Sequence, residues 1–190
     1  ALSLKAKLMV FAYQAWLAAA WLIGGSVGDS MTRSMARIAK AKSVIFLMQF
    51  GGPSHVDTFD LKLDAPSGYR TELKPISSAI PGVPVCEHLP ETAKILDKVT
   101  LIRSVHHRMK NHNSAGYQTL TGHAPPSDDQ RMKETPDTYP AYGSVIDQFL
   151  PEDPSLPSFV ALPHVIQDGT VTPGQNASFL GKRHNPLLIT

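Results

Sequence analysis

Residues 43–50, with the sequence SVIFLMQF, constrain the fold more than any other stretch of the chain. Their apolar side chains do not alternate with polar ones, so the pattern predicts a strand whose two faces are both buried. Strands of this kind belong to parallel sheets that are covered by helices. The turn sequence GGPSHVDTFD follows at residues 51–60, so we expect polar side chains at the carboxyl end of this strand.

The rest of the chain alternates between strand and helix patterns. Pro, Gly and Ser are frequent in residues 60–85, which predicts an irregular segment. The elements predicted after it are helix 87–98, strand 99–105, helix 113–121 with a cap at Asn113 and an end at Gly122, helix 143–150 and strand 158–162. This order predicts an α/β fold with a mostly parallel sheet flanked by helices.

Histidine is concentrated where the predicted strands end. Six of the eight histidines lie in or near the three segments that leave these strands: His55, His106, His107, His112, His123 and His164. In parallel α/β sheets, ligands gather at the carboxyl ends of the strands, where loops leave the rigid scaffold. We therefore expect the functional site among these three loops.

Two residues after the first predicted strand could hold a metal ion. His55 offers a nitrogen and Asp57 an oxygen, and zinc and manganese accept both as ligands. A tight turn explains the same residues without a metal, because Gly51-Gly52-Pro53 is turn chemistry and Asp57 can accept turn hydrogen bonds. The residues alone leave both interpretations open.

The start of the second predicted helix has the pattern of an anion site. Ser114 falls on the first turn, two residues after His112. The backbone N–H groups of Asn113, Ala115 and Gly116, together with the positive end of the helix dipole, can hold a phosphate or sulfate group. The serine hydroxyl could act there as a nucleophile, with His112 beside it. The alternative is that Ser114 is an ordinary helix cap.

Charge and cysteine content exclude some classes of function. The net charge of +2 comes from interspersed signs, without a dense run of Lys or Arg, so we do not expect a nucleic-acid partner. Cys86 is the only cysteine, which rules out an internal disulfide and a CxxC metal or redox motif.

The first residues of the chain have the pattern of an export signal. Two lysines precede the apolar residues 8–23, and small residues follow. This predicts a signal peptide or a retained membrane anchor over residues 1–28, with membrane contact through residues 8–23, and then a linker over residues 29–42. We expect an exported protein that is periplasmic, at the cell surface or extracellular.

Several motifs together resemble one bacterial family. They are FGGPSHVDTFD, GVPVCEHLPETAKILDKVTLIRSVHH, NHNSAGYQTLTGH, YGSVIDQF and LPHVIQDG. From about Ala41 to the end, the chain is similar to the secreted family labelled domain of unknown function 1501, in the alkaline phosphatase and sulfatase superfamily. The resemblance implies an alkaline phosphatase-like fold. Because members of the family are usually more than twice as long, it also implies that residues 43–190 are the N-terminal part of a truncated domain.

The resemblance also implies a chemistry for the site. Superfamily enzymes place a nucleophile at a helix start beside two divalent metals, and Ser114 matches the nucleophile position. The implied cofactor is a zinc, manganese or calcium ion, with His55 and Asp57 as its candidate ligands. The implied reaction is metal-dependent hydrolysis of a phosphate or sulfate ester. The substrate would be a small anionic ester or a phosphorylated or sulfated polymer.

The sequence departs from the superfamily pattern in several places. Asn113 stands where alkaline phosphatases have an acid, and Gln49-Phe50-Gly51-Gly52 stands where a metal-binding carboxylate is expected. The sequence has neither the Cys-x-Pro-x-Arg motif of formylglycine sulfatases nor the Arg-Arg pair of a twin-arginine signal. The alternative function is therefore a non-catalytic exported binding or surface protein on the same scaffold.

Overall fold

The structure, a computed structural model, describes residues 43–49, 51–149 and 155–190. The described residues form two compact units, of which the first ends at Val105 and the second begins at His106. The predicted signal peptide or anchor and the predicted linker lie outside the described residues. Within the described ranges, no helix has the length and apolar character needed to cross a bilayer.

The first unit is built around a short antiparallel ladder and one helix. β1 (Pro75–Ile76) pairs with β2 (Val85–Cys86). Helix α1 (Pro90–Lys94) begins with a proline, which suits a first turn because the N–H that proline lacks has no partner there, and a 3-10 turn follows at Leu96–Lys98. The helix predicted over residues 87–98 is confirmed over most of its length.

The core of this unit is a cluster of four buried side chains. Phe59, Val85, Ala93 and Leu96 form this cluster, with Val85 and Leu96 fully buried. Ala93 and Leu96 are three residues apart, so they lie on the same side of the helical segment. The apolar face of α1 is thereby packed against β2.

Two strands predicted in the first unit are not found there. Within the described residues, neither 43–49 nor 99–105 forms a strand. Val44, Ile45 and Leu47 are 49%, 61% and 46% exposed, so the prediction that this apolar run is buried is wrong for this structure. A buried strand needs neighbours on both edges, and no strand pairs with the run in the part of the chain that the structure describes.

The second unit contains both helices predicted for it. α2 (His112–Thr121) ends at Gly122, whose left-handed conformation (φ 78°) lets its N–H donate to the Gln118 carbonyl. The predicted end at glycine is confirmed. α3 (Tyr142–Phe149) covers almost all of the helix predicted over residues 143–150.

Two ladders complete the second unit. β3 (Val160–Ala161) pairs in parallel with β6 (Leu187–Leu188), which confirms the centre of the strand predicted over residues 158–162. β4 (Gln167–Asp168) and β5 (Thr170–Val171) form a tight antiparallel hairpin. One of the three ladders among the described residues is parallel. The larger parallel sheet and the alkaline phosphatase-like fold stay predictions.

A close approach between α2 and the segment after β5 fixes the start of this helix. A Cβ atom at Gly116 would lie 2.7 Å from the Thr172 Cγ2 atom, so the position accepts only glycine without displacement. Tyr117 is 1% exposed, and its hydroxyl accepts a hydrogen bond from the Tyr139 N–H at 2.7 Å. The first contact holds α2 against the segment that follows the β4–β5 hairpin, and the second holds it against the loop that contains Tyr139.

Candidate functional site

The residues just before helix α2 are held by a distant loop. Asn111 occupies the cap position, but its side chain makes no capping hydrogen bond. Instead the Asp128 carboxylate accepts hydrogen bonds from the N–H groups of Lys110 at 2.8 Å and Asn111 at 3.1 Å. The Lys110 N–H, and after it the Asn111 side chain, hold the pKa of Asp128 below its ordinary value. The prediction that Asn113 caps the helix is wrong, because Asn113 is already inside it.

Asn113 ties the helix start to two other segments. Its side chain is fully buried. Nδ2 donates to the Gln130 carbonyl at 2.7 Å and to the Thr170 hydroxyl at 2.8 Å, while Oδ1 accepts from the Thr172 hydroxyl at 2.7 Å. A carboxylate has no proton to donate to the Gln130 carbonyl. The structure thus gives a physical reason for an asparagine, in place of an acid, before Ser114.

His112 and Asp168 form a pair at the rim of the second unit. The distance from His112 Nδ1 to Asp168 Oδ2 is 2.6 Å. Gln130 Nε2 donates to the same Oδ2 atom and to the Asp168 backbone carbonyl, each at 2.9 Å. The side chains of His112 and Asp168 are 74% and 41% exposed, so the pair is open to solvent. The imidazole is held through Nδ1, which makes Nε2 its basic nitrogen when the ring is neutral.

Ser114 lies two residues after His112 in sequence but is fully buried. Its Oγ accepts a hydrogen bond from the Asp129 N–H at 2.9 Å and lies 3.4 Å from the Ser127 carbonyl oxygen. The alternative interpretation as an ordinary cap is wrong, since Asn111 is the cap residue. The hydroxyl is bound to the loop over residues 127–129, and its role as a nucleophile stays a prediction.

The amides predicted to bind an anion already have contacts within the protein. The Asn113 N–H lies 3.4 Å from Gln130 Oε1, and the Ala115 N–H donates to the Asn111 carbonyl at 2.9 Å. Gly116 is buried against Thr172. An anion at this helix start would have to compete with these contacts, and the anion site stays a prediction.

His55 and Asp57 lie in the first unit, in a turn. The His55 carbonyl accepts hydrogen bonds from the N–H groups of Phe59 and Asp60, and the Asp57 N–H donates to the Ser54 carbonyl. His55 and Asp57 thus lie in a turn over residues 54–60, as the turn interpretation expects, although the Asp57 carboxylate accepts from outside that turn. Asp57 Oδ1 accepts from the Thr71 hydroxyl at 2.8 Å.

The described residues do not provide the ligand set that a divalent metal needs. Among them, no group of three or more His, Cys, Asp or Glu side chains is placed to hold a metal ion. A structural or catalytic zinc ion takes at least three protein ligands, and His55 with Asp57 supplies two. The ligand set is therefore incomplete within the described residues, and the assignment of His55 and Asp57 as metal ligands stays a prediction.

The remaining predicted histidines have diverse surroundings. His107 Nδ1 accepts from the Met109 N–H at 3.1 Å. His123 stacks on Tyr139 with ring centroids 3.6 Å apart, and its partial burial lowers its pKa below the ordinary 6.5. His164 is exposed.

Sequence reasoning missed three residues of the second unit that make the main polar contacts. Asp168 and Gln130 lie 56 and 18 residues after His112, so local spacing does not connect them. His184 is 4% exposed, with Nδ1 2.6 Å from Asp147 Oδ2. The one signal for Asp168 is that it precedes Gly169 in the quoted loop LPHVIQDG. That pattern predicts a turn and not a partner.

The second unit thus combines short helices and two-residue strand pairs, and it places an oriented, solvent-exposed histidine at a helix start. Residues 41–190 match the sequence model of the family described as protein of unknown function (DUF1501). The match covers most of the chain, so the chain belongs to this family. No curated protein and no solved structure matches the chain.

Proposed function

We propose that the chain is part of an exported hydrolase of phosphate or sulfate esters in which His112, oriented by Asp168, transfers the proton. The observation that carries this proposal is the 2.6 Å contact between His112 Nδ1 and Asp168 Oδ2 on a side chain that is 74% exposed. An imidazole with one nitrogen held by a carboxylate and the other open to solvent is the arrangement of a general base.

The chemistry follows from the two nitrogens of the ring. Nε2 takes a proton from the attacking oxygen, and the Asp168 carboxylate stabilises the imidazolium that forms. The new bond joins the attacking oxygen to phosphorus or sulfur, while the bond from that atom to the ester oxygen breaks. The imidazolium then returns its proton to the leaving oxygen. Proton transfer of this kind contributes about a hundredfold to ten-thousandfold in rate.

The buried position of Ser114 favours water as the attacking group. For Ser114 to attack, its hydroxyl must leave the Asp129 N–H and the loop over residues 127–129 must move. Water at the exposed His112 needs no such movement. We therefore assign the attack to water, and no step is assigned to a metal ion because the described residues lack its ligand set.

The substrate class and the location rest on the sequence. A small anionic ester, or a phosphorylated or sulfated polymer, is the substrate that this chemistry serves. Export is supported by the two lysines and the apolar residues 8–23 at the start of the chain.

A second candidate function is a non-catalytic exported binding or surface protein. It is favoured by the full burial of Ser114 and by the internal contacts of the Asn113 and Ala115 amides. On this reading, the polar network around α2 holds the helix and hairpin together and does no chemistry.

The test is ester hydrolysis by the whole protein. Nitrophenyl phosphate and nitrophenyl sulfate are offered with and without zinc, manganese or calcium. His112→Ala should lower kcat by about a hundredfold or more, and Asp168→Asn should lower it less and change the pH profile of kcat/KM. Ser114→Ala should leave kcat nearly unchanged if water attacks. His164→Ala, at another exposed histidine of the same unit, is the control.

Two results would change the assignment. A kcat that His112→Ala leaves untouched would reject the proton-transfer role, and a large loss in Ser114→Ala with its fold intact would restore the serine as nucleophile. If the parent protein hydrolyses neither ester under any of these conditions, the second candidate function, a non-catalytic binding or surface protein, is favoured.

A further inference from the structure

The second unit contains a cavity that is separate from His112 and Asp168. Its volume is about 350 Å³. It is lined by Asp147, Pro157, Ser158, Phe159, Lys182, Arg183, Asn185, Pro186 and Leu187. These residues combine positive charge with apolar surface, which is the composition of a site for a small organic anion.

The positive charge comes from one turn of the chain. Lys182 and Arg183 are consecutive in the 3-10 turn Lys182–His184. Asp147 is the one acidic residue of the lining, so two cations and one anion leave the lining with a net positive charge. Asn185 Oδ1 accepts from the Ala177 N–H at 2.9 Å, which leaves its NH₂ group as a donor. The lining therefore offers net positive charge and an amide donor to an anion.

The negative charge of Asp147 is already engaged inside the protein. His184 is 4% exposed, and its Nδ1 lies 2.6 Å from Asp147 Oδ2. Arg183 Nε donates to His184 Nε2 at 2.7 Å, so the arginine is anchored beside the cavity. The contacts from Asp147 through His184 to Arg183 therefore hold the polar side of the cavity in place in the absence of a ligand.

The apolar side is fixed as well. Phe159 packs so closely on α3 that a Cβ atom at Gly143 would lie 2.2 Å from its Cδ2 atom. Phe159 shares the lining with Leu187, Pro157 and Pro186. Because Phe159 already packs on α3, this part of the lining loses little entropy when a ligand binds.

We propose that this cavity binds a small organic anion that carries a phosphate, phosphonate or sulfate group on an apolar body. The anionic group contacts Lys182 and Arg183, and the apolar body lies against Phe159 and Leu187. The site is a binding site that needs neither the His112 chemistry nor its substrate, so it stands or falls independently of the proposed hydrolysis.

The test is calorimetric titration of the whole protein with phenylphosphonate, which has no ester bond to hydrolyse. Methylphosphonate carries the same charge without the ring, and benzyl alcohol carries the ring without the charge. Phenylphosphonate should bind at least about fivefold more tightly than either control ligand. A partly exposed ionic contact and a partly buried ring each contribute about a fivefold gain in affinity, and each control ligand lacks one of the two. Raising the salt concentration should weaken it.

Four variants separate this site from others. Lys182→Glu should weaken phenylphosphonate about tenfold or more, whereas Lys133→Glu, the same change at an exposed lysine outside the cavity lining, should not. Leu187→Ser should weaken phenylphosphonate and leave methylphosphonate unchanged. His112→Ala should leave both affinities unchanged. Thermal melts show whether each variant is folded.

Each contrary outcome overturns a stated part of the proposal. Equal losses in Lys182→Glu and Lys133→Glu would show a general effect of net charge and no site. Equal affinities for phenylphosphonate and methylphosphonate would remove the apolar part, and loss of binding in His112→Ala would move the ligand to the other site. No measurable binding of phenylphosphonate would reject the cavity as an anion site.

Discussion

Replacing Asn113 tests whether the buried network around α2 is built as the structure has it. Asn113→Ala removes three hydrogen bonds, each worth about 1 kcal/mol net. The Gln130 carbonyl keeps the Thr170 hydroxyl at 3.2 Å as a partner, so the larger loss falls on Thr172, which is 1% exposed. We expect Asn113→Ala to lower the free energy of unfolding by about 3 kcal/mol.

Asn113→Asp is the sharper variant because it keeps the shape and changes only the donor. A carboxylate oxygen would replace Nδ2 at 2.7 Å from the Gln130 carbonyl oxygen, inside a fully buried site. Two acceptors facing each other repel, and the buried charge has no cation beside it among these contacts. Asn113→Asp should therefore destabilise more than Asn113→Ala at neutral pH. The destabilisation should shrink as the pH falls and the carboxyl is protonated, because a proton restores the donor.

Urea denaturation and thermal melts of the whole protein measure both effects. For a unit the size of the second one, which includes His106–Thr190, about 3 kcal/mol corresponds to a fall in Tm of roughly 12 to 24 °C. Asn111→Ala is the matched control, since its Nδ2 donates to the Asp128 carbonyl in an exposed setting and the loss should be about 1 kcal/mol or less. The reasoning is refuted if Asn113→Ala melts like Asn111→Ala, or if Asn113→Asp is as stable as the parent at pH 7.

Two further predictions concern the Asp128 contacts before α2 and the packing of α3. The pKa of Asp128 is held below its ordinary value of 3.8, first by the Lys110 N–H, so its stabilising effect is present above that value and is lost as the pH falls through the lower, folded-state pKa. An NMR titration of the Asp128 carboxyl carbon should show the low pKa, and Asp128→Asn should abolish this pH dependence of stability. An ordinary pKa for Asp128 would contradict its contacts with the Lys110 and Asn111 N–H groups. Gly143→Ala places a methyl group 2.2 Å from the Phe159 ring and should destabilise by about 1 to 3 kcal/mol. Adding Phe159→Leu should recover part of that loss, and a Gly143→Ala protein that melts like the parent would contradict the packing.

Local signals predicted α2 better than its surroundings. Gly122 ends the helix because glycine adopts the left-handed conformation (φ 78°) at little cost, and this depends on one residue alone. The start was predicted less well because Asp128, which binds the N–H groups of Lys110 and Asn111 just before the helix, comes from a loop 17 residues after Asn111. A sequence pattern shows which residues are able to bind the start of a helix, but tertiary packing determines which of them makes the contact.

The dependence on tertiary packing also explains why the two strands were predicted wrongly and why Asp168 was not predicted as the partner of His112. The apolar run over residues 43–49 indicates that burial would be favourable, yet a strand exists only where another strand pairs with it, and none does within the described residues. His112 was found from its place before a helix, whereas Asp168 reaches it across 56 residues. Which loops meet is a property of tertiary packing that spacing along the chain does not encode.

The architecture of the second unit separates its stability from its proposed chemistry. The buried contacts of Asn113 with Thr170 and Thr172 already join the helix start to the hairpin and the segment after it. The His112–Asp168 pair is linked to Asn113 through Gln130 but is itself exposed to solvent, and exposed ion pairs contribute about 0 to 1 kcal/mol. Removing the His112 ring should therefore cost little stability. It follows that a loss of turnover in His112→Ala, in a protein that still melts like its parent, would report on proton transfer and not on unfolding.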